Sequence, residues 1–435
     1  MSPSPVQASL AVVELAREGR FEEIRGRFVA DLQPLVPPES LRAAWEAEIA
    51  GNGAFIAAGA PVSDPPAHGV TVVRVPLHFE RGERALLVSA TDDGDLVGLQ
   101  LAAAGAAEPL QPWEPPSYAD PESFEESDVV VGPHGWTVPG TLALPRRRER
   151  AAKAPAVVLL AGSGPQDRDV TIGRNKPLKD LAWGLASRDI AVLRFDKVTF
   201  ALRDELAGVA SFTLADEYLP QALGAIELLS RHPAVDGERI FVLGHSLGGT
   251  VAPRVAAAAP SVAGLVVMAG GSVPMHWAAV HQLRYLASLD PSGGAMTAVE
   301  EMAARARAVD DPALSATTPA SSLPFGVPAE YWLDVRAYDP VATAAGLRLP
   351  MLILQGGRDY QVTVEEDLAR WESGLADRPD VTFRLFPADD HLFFAGDGPS
   401  TPAGYEAAQH VDAEVVAEVA AWLGGANGSQ RRPRR

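Results

Sequence analysis

The pattern of hydrophobic and polar residues along the chain changes near residue 128. Before that point, two stretches with apolar residues at helical spacing (SLAVVELAREGRFEEIRGRFVADL and PESLRAAWEAEI) precede three segments in which apolar and polar residues alternate. Alternation with a period of two is typical of half-buried strands. The pattern predicts a small α+β domain over residues 1–110. We find no catalytic grouping in it, because His68 and His78 have no obvious acidic or nucleophilic partner nearby in the sequence.

From residue 128 onward, short runs of Val, Ile and Leu alternate with amphipathic helices. The candidate strands are VVVGPHGWTVPGTLALP (an opening hairpin), PAVVLLAG, IAVLRFD, RIFVLGH, GLVVMAG, PMLILQG and VTFRLFP. Strands without polar alternation are buried on both faces, as in a mostly parallel sheet with helices on either side. We therefore predict a doubly wound α/β domain over residues 128–424. Its predicted helices span residues 176–187, 215–231, 247–259, 365–376 and 407–423.

Three segments interrupt this organisation. Residues 111–127, rich in proline and acidic residues, predict an extended linker. Residues 271–346 contain helical pieces and no clear strand, which predicts a lid inserted between two strands. Residues 425–435 predict a disordered tail whose arginines form a solvated end.

Composition excludes several classes of function. With 56 acidic and 37 basic residues, the net charge of −19 would repel nucleic acids and anionic membranes. The absence of cysteine removes disulfides and thiolate chemistry, so a serine or aspartate would perform any covalent step. No apolar run is long enough to cross a membrane, and acidic Glu14 interrupts the N-terminal apolar stretch. We expect a cytoplasmic protein without a signal peptide.

A serine held between glycines is the strongest chemical signal. The stretch GHSLGG follows the predicted strand at residues 239–243 and precedes a predicted helix, as the G-x-S-x-G nucleophile elbow requires. Ser246 would occupy the strained apex of the turn, where side chains at Gly244 and Gly248 would collide with the backbone. The backbone N–H of Leu247, at the start of the helix, could then stabilise an oxyanion.

An elbow serine needs a base and an acid, and this fold places them in the chain order Ser, acid, His. Asp359 comes just after the strand PMLILQG, and His391 lies in the loop after the next strand. Asp389 and Asp390 are weaker candidates for the acid, because sequence neighbours rarely present a carboxylate to the adjacent ring. A metal site from these two and His391 is also weaker, since no second His or Cys cluster completes it. Other histidines of this domain are weaker candidates for the base, because they lie in the elbow, in the lid or at surface helix positions: His245, His276, His281, His232 and His410.

A second oxyanion donor is expected in the glycine-rich loop LLAGSGPQDRD. The backbone N–H of Ser163 is the candidate. The same loop could suggest phosphate binding, but it lacks the G-K-[ST] ending of a P-loop.

The segments AGSGPQDRD, IGRNKPLKDLAWGLASRDIAVLRFDK, FVLGHSLGG, GGRDYQV and DDHLF together resemble bacterial α/β-hydrolase serine esterases, particularly EstD-like carboxylesterases. The resemblance covers residues 128–424 and extends to the N-terminal domain in layout alone. It implies an ester hydrolase with Ser246 as nucleophile, His391 as base and Asp359 as orienting acid, without a cofactor. One departure is Ala161 before Gly162, where many lipases carry His-Gly.

Two alternatives stay open at this stage. In the first, the same triad transfers the acyl group from the acyl-enzyme to an acceptor other than water, or acts on a thioester or peptide. In the second, the chain is a hydrolase-fold binding protein without turnover. Aromatic residues in the lid and beside the base favour a small, apolar ester substrate. They are Trp277, Tyr285, Tyr331, Trp332, Tyr338, Phe393 and Phe394. The N-terminal domain could also serve a homodimer contact.

Overall fold

The computed structural model describes residues 3–426 apart from 31, 34–35, 65–68, 108–111, 147–152, 207–208, 210 and 290–295. Contacts divide the chain into two compact units, Met1–Pro112 and Trp113–Arg435. The predicted tail from residue 427 on, and His68, lie outside the described residues. No helix in the described ranges is both long and apolar enough to cross a membrane.

The first unit packs helices on one antiparallel sheet, which agrees with the predicted α+β layout. Its helices are α1 (Pro5–Arg17), α2 (Phe21–Arg25) and α3 (Pro38–Asn52), and its strands are β1 (Phe55–Ala58), β2 (Val62–Ser63), β3 (Val70–Phe79), β4 (Glu83–Thr91) and β5 (Leu96–Ala103). The strand order is β1-β3-β4-β5, with β2 also pairing with β3. Against the sequence reading, His78 does have an acidic partner: its Nδ1 lies 3.0 Å from Glu83 Oε1, at an exposed position.

The second unit is built on an eight-stranded sheet of order β13-β12-β11-β10-β8-β9-β7-β6. Its strands are β6 (Phe124–Val131), β7 (Val138–Pro145), β8 (Ala154–Leu160), β9 (Ala191–Phe195), β10 (Val235–His245), β11 (Gly264–Met268), β12 (Met351–Gly356) and β13 (Val381–Phe386). The strands from β8 to β13 run parallel, and the hairpin of β6 and β7 pairs antiparallel to β9. Strands β8, β9, β11 and β12 are buried along their whole length, as their uninterrupted apolar sequences predict.

Helices cover both faces of this sheet. They are α4 (Pro177–Ala186), α5 (Val198–Ala201), α6 (Arg203–Leu206), α7 (Leu214–Arg231), α8 (Leu247–Ala258), α9 (Met275–Leu289), α10 (Met296–Asp310), α11 (Ala329–Ala337), α12 (Pro340–Gly346), α13 (Ala369–Gly374) and α14 (Ala413–Ala421). The predicted α/β-hydrolase architecture is confirmed. Two predicted helices are shorter than expected: α13 follows a π-helical turn (Val364–Leu368), and α14 starts only after Asp412, whose side chain caps it.

Residues 113–127 belong to the second unit, where the sequence predicted part of a linker. The Trp113 indole N–H donates to Asp180 Oδ1 at 2.8 Å, and its ring packs edge-on against Trp183. Strand β6 already begins at Phe124, which is buried. The many prolines and acidic residues obscured these aromatic anchors, whose burial holds the segment against α4.

The predicted insertion at residues 271–346 lies between β11 and β12 and is helical, comprising α9 to α12. Helices α9 and α10 pack on each other through a small cluster of their own. Its buried members are Val280, Ala287, Val299, Ala303 and Ala306. The first half of the insertion therefore has a small hydrophobic core of its own.

Candidate active site

Ser246 stands at the sharp turn between β10 and α8. Its backbone has φ 55° and ψ −122°, a sparsely populated conformation for a residue with a side chain. A Cβ atom at Gly244 would overlap the backbone of Gly248, and one at Gly248 would overlap the carbonyl oxygens of Leu160 and Ala161. The glycines predicted from the G-x-S-x-G pattern therefore permit the close packing that holds the serine in this conformation.

The three residues predicted as a catalytic group come together in one hydrogen-bonded chain. Ser246 Oγ lies 3.0 Å from His391 Nε2, and His391 Nδ1 lies 2.7 Å from Asp359 Oδ2. The side chains of His391 and Asp359 are 5% and 0% exposed, respectively. Nucleophile, imidazole and carboxylate thus stand in the order and spacing that general-base activation of a serine requires.

Asp359 is held by donors that the sequence reading did not identify. Its Oδ1 accepts the backbone N–H groups of Gln361 at 2.8 Å and Val362 at 3.0 Å, and its Oδ2 accepts the Gln355 side-chain amide at 3.1 Å. Gln355 is a polar residue in an otherwise apolar strand, four residues before Asp359. This unusual position was the sequence feature that could have identified it as a partner of Asp359. These bonds hold the carboxylate in a fixed orientation toward His391.

Two opposing effects act on the pKa of His391. Burial acts to lower the pKa of His391, but the charge of Asp359 and the hydrogen bond to it prevail, so that its pKa is raised above the ordinary value. Neighbouring His245 behaves in the opposite way: burial and the proximity of His391 lower its pKa to about 3. Neutral His245 donates its Nε2–H to the His391 backbone carbonyl at 2.8 Å, which anchors the loop that carries His391.

Of the two alternative acids, Asp390 has side-chain hydrogen bonds, whereas Asp389 Oδ2 is buried without one. Asp390 Oδ1 accepts the backbone N–H groups of Leu392 at 2.9 Å and Phe394 at 3.1 Å, so it shapes the loop around the histidine. Burial, followed by the nearby Asp412 and Asp390 charges, raises the pKa of Asp389 to about 7. Among the residues described, no group of three His, Asp or Glu side chains is placed to hold a metal ion.

The two predicted oxyanion donors lie close to the serine. Leu247 is the first residue of α8, where the N–H has no partner within the helix. The loop containing Ser163 approaches from β8: a Cβ atom at Gly162 would lie 3.1 Å from Ser246 Cβ. Ser163, Ser246 and Leu247 all line one cavity. Their assignment as an oxyanion hole stays a prediction.

That cavity has a volume of about 910 Å³ and is walled partly by the insertion. Apolar side chains that line it include Leu206, Phe212, Leu214, Met275, Val327, Tyr331 and Val335. Of the aromatic residues singled out in the sequence, Tyr331 and Tyr338 line this cavity. Phe393 and Phe394 are instead buried in the core behind the histidine, and Trp277 lines a separate pocket.

Among the other candidate histidines, His276 also lines the cavity that contains Ser246. His276 in α9 bonds Asp310 at 2.9 Å, and His281 pairs with Glu366 at 2.7 Å. His410 lies before α14 rather than within a helix and contacts buried Asp180 at 3.2 Å. His232 follows the end of α7.

Sequence reasoning missed a buried polar network behind the loop that carries Ser163. Its members are Lys197, Glu217, Tyr218 and Tyr331. Lys197 follows the carboxyl end of β9. Functional residues often lie at this edge of a parallel sheet, so the position of Lys197 in the sequence could have marked it as a candidate.

Comparison with known proteins identifies the family of the chain. Residues 175–395 match the family Hydrolase_4, described as serine aminopeptidase, S33. The chain is 38% identical over 347 residues to Esterase EstD of Thermotoga maritima, an alignment covering 80% of this chain and 78% of the relative. Similar solved structures include the esterase domain of a Rhodothermus marinus protein (17% identity, TM-score 0.42, covering 68% of this chain and 97% of that one) and Est1E from Butyrivibrio proteoclasticus (15%, 0.44, 68% and 98%). The chain belongs to the EstD-like esterases of the α/β-hydrolase superfamily and is a carboxylesterase-type hydrolase.

Proposed function

We propose that the chain hydrolyses carboxylic esters through a covalent acyl-enzyme on Ser246. The observation that carries this proposal is the continuous hydrogen-bonded chain from Ser246 Oγ through the His391 ring to Asp359, at 3.0 and 2.7 Å. Esterase activity is expected of the family, and this chain of contacts supplies a mechanism for it.

In the first half of the reaction, His391 Nε2 accepts the proton of Ser246 as the oxygen attacks the ester carbonyl carbon. The resulting oxyanion accepts hydrogen bonds from the N–H groups of Leu247 and Ser163. His391 then donates its proton to the leaving alcohol oxygen as the C–O bond breaks. Asp359 stabilises the imidazolium while this proton is held.

In the second half, a water molecule replaces the alcohol. His391 accepts a proton from it, the hydroxyl attacks the acyl carbon, and the same donors hold the second oxyanion. The proton returns to Ser246 Oγ as the carboxylic acid leaves, so the enzyme is restored without an external cofactor.

The residues that line the cavity favour a substrate with an apolar acyl or alcohol group. Most lining side chains are aliphatic or aromatic, and a volume of about 910 Å³ leaves room for a chain of several carbons. We infer that small aryl or alkyl esters are preferred over charged ones.

Labelling with a fluorophosphonate tests the nucleophile directly. Mass spectrometry should locate the adduct on Ser246, and Ser246→Ala should lower kcat on p-nitrophenyl butyrate by about 10⁴-fold or more. Ser230→Ala, a change at an exposed serine in α7, is the matched control and should label and turn over normally. Hydrolysis undiminished in Ser246→Ala would refute the proposal.

A further inference from the structure

Lys197 is buried behind the active-site loop and its ammonium group is fully engaged. Its Nζ atom lies 2.8 Å from the Gly162 carbonyl oxygen, 3.0 Å from Tyr218 Oη and 2.6 Å from Glu217 Oε1. A protonated lysine has three N–H donors, and here three acceptors receive them. Lys197 therefore has no hydrogen left for a substrate, and its role must lie in the groups it holds.

One of those groups belongs to the same peptide unit as a predicted oxyanion donor. The carbonyl of Gly162 and the N–H of Ser163 share a planar trans peptide, so they point in opposite directions. The single O–H of Tyr218 is shared between two carbonyl oxygens, Gly162 O at 2.9 Å and Ala161 O at 3.0 Å. Fixing the carbonyl oxygen on one side fixes the direction of the N–H on the other.

We propose that Lys197 is a positioning residue for the oxyanion hole. It holds the Gly162–Ser163 peptide so that the Ser163 N–H faces the reacting carbonyl, and its positive charge polarises that peptide and strengthens the N–H as a donor. The proposal rests on the proposed function, in which the Ser163 N–H binds the oxyanion.

Glu217 connects this arrangement to the insertion. Its Oε1 accepts from Lys197, and its Oε2 accepts from Tyr331 Oη at 2.7 Å. Tyr331 lies in α11 and lines the substrate cavity. The same carboxylate thus balances the buried ammonium charge and joins the wall of the cavity to the oxyanion loop.

A purely structural ion pair is the competing explanation, and the choice of variants separates the two. Lys197→Met alone leaves Glu217 charged and unpaired in the interior, which is strongly destabilising. The double variant Lys197→Met/Glu217→Gln removes both charges at similar volume. Tyr218→Phe is the milder change, because it deletes one of the two donors to Gly162 O and keeps the ion pair.

The experiment measures kcat and KM of the full-length variants on p-nitrophenyl butyrate, and the inhibition constant of a trifluoromethyl ketone, whose adduct places an oxyanion in the hole. For the double variant we expect kcat to fall by about 10²–10³-fold, as for loss of one oxyanion donor, with KM within about threefold. The inhibition constant should rise by the same factor as kcat/KM falls. Tyr218→Phe should show a smaller loss in the same direction.

Lys179→Met is the matched control, since this lysine is partly buried against Trp113 and Trp183, away from the cavity. It should leave kcat and the inhibition constant unchanged. A lower melting temperature with unchanged kcat and inhibition constant in the double variant and in Tyr218→Phe would overturn the proposal. Failure of wild-type Ser246 to react with a fluorophosphonate would instead refute the proposed function, so the two failures are distinguishable.

Discussion

Asp359 Oδ2 lies 2.7 Å from His391 Nδ1, while Asp359 Oδ1 accepts two backbone N–H groups. A carboxylate held in this way can only accept, so it keeps the imidazole proton on Nδ1 and leaves Nε2 free to accept the proton of Ser246. In the proposed mechanism, this contact therefore determines which nitrogen of His391 acts as the base.

The substitution Asp359→Asn should reverse which nitrogen of His391 carries the proton. Asp359→Asn can present an amide N–H to Nδ1 and favour the wrong tautomer, so we expect kcat/KM to fall by about 10³–10⁴-fold. Asp390→Asn is the matched comparison, because Asp390 bonds only loop N–H groups, and it should change thermal stability more than kcat. Steady-state kinetics of both purified variants measure the difference. Loss of activity in Asp390→Asn alone would show that the acid is misassigned.

The raised pKa of His391 predicts where activity is lost in acid. Protonated His391 cannot accept the serine proton, so kcat/KM should fall as the pH drops through the pKa of the free enzyme. Because Asp359 raises that pKa, the midpoint should lie above the ordinary histidine value of about 6.5. In Asp359→Asn the raising charge is gone while the burial that lowers the pKa remains, so the midpoint should move to lower pH. Profiles of kcat/KM against pH for both proteins test this; an identical midpoint would contradict it.

The parts of the site that could be predicted from sequence are those fixed by local backbone chemistry. Ser246 needs glycines on both sides of one turn, and this requirement is visible as a short local sequence motif. Asp359 and His391 follow from the positions of strand ends, because parallel strands bring their carboxyl ends to one edge of the sheet. Uninterrupted Val, Ile and Leu runs identified the buried strands for the same reason.

Long-range polar contacts could not be predicted in this way. Lys197 and Glu217 are 20 positions apart, and Tyr331 lies more than a hundred residues further on; each is an unremarkable residue in its own segment. Only the folded packing shows that one carboxylate joins them. The packing of the aromatic residues in segment 113–127 could not be predicted either. Proline and acidic residues dominate the local composition, while the burial of the aromatic residues depends on α4, which is distant in sequence.

The insertion should control the length of the ester that is accepted. Val327 lines the cavity and is only half-buried, so Val327→Trp can fill space there without repacking the core. We expect kcat/KM on p-nitrophenyl octanoate to fall at least about tenfold more than on the acetate, since the longer chain needs the occupied volume. Met296→Ala, at an exposed site on α10, is the control and should keep the wild-type ratio. An unchanged ratio in Val327→Trp would place the acyl chain elsewhere.

The boundary between the two units predicts which fragments remain active. A fragment of residues 113–435 keeps the Trp113 bond to Asp180 and the whole of β6, whereas one of residues 128–435 loses both the bond and buried Phe124. If the N-terminal unit has no part in catalysis, the longer fragment should retain a kcat/KM on p-nitrophenyl acetate comparable to that of the full chain. The shorter one should melt at a lower temperature, because removing a buried aromatic side chain such as Phe124 costs about 3–5 kcal/mol. Thermal unfolding and kinetics of both fragments decide this. Equal melting temperatures would show that residues 113–127 are dispensable, and a folded longer fragment active on acetate but not on octanoate would show that the N-terminal unit helps to bind substrate.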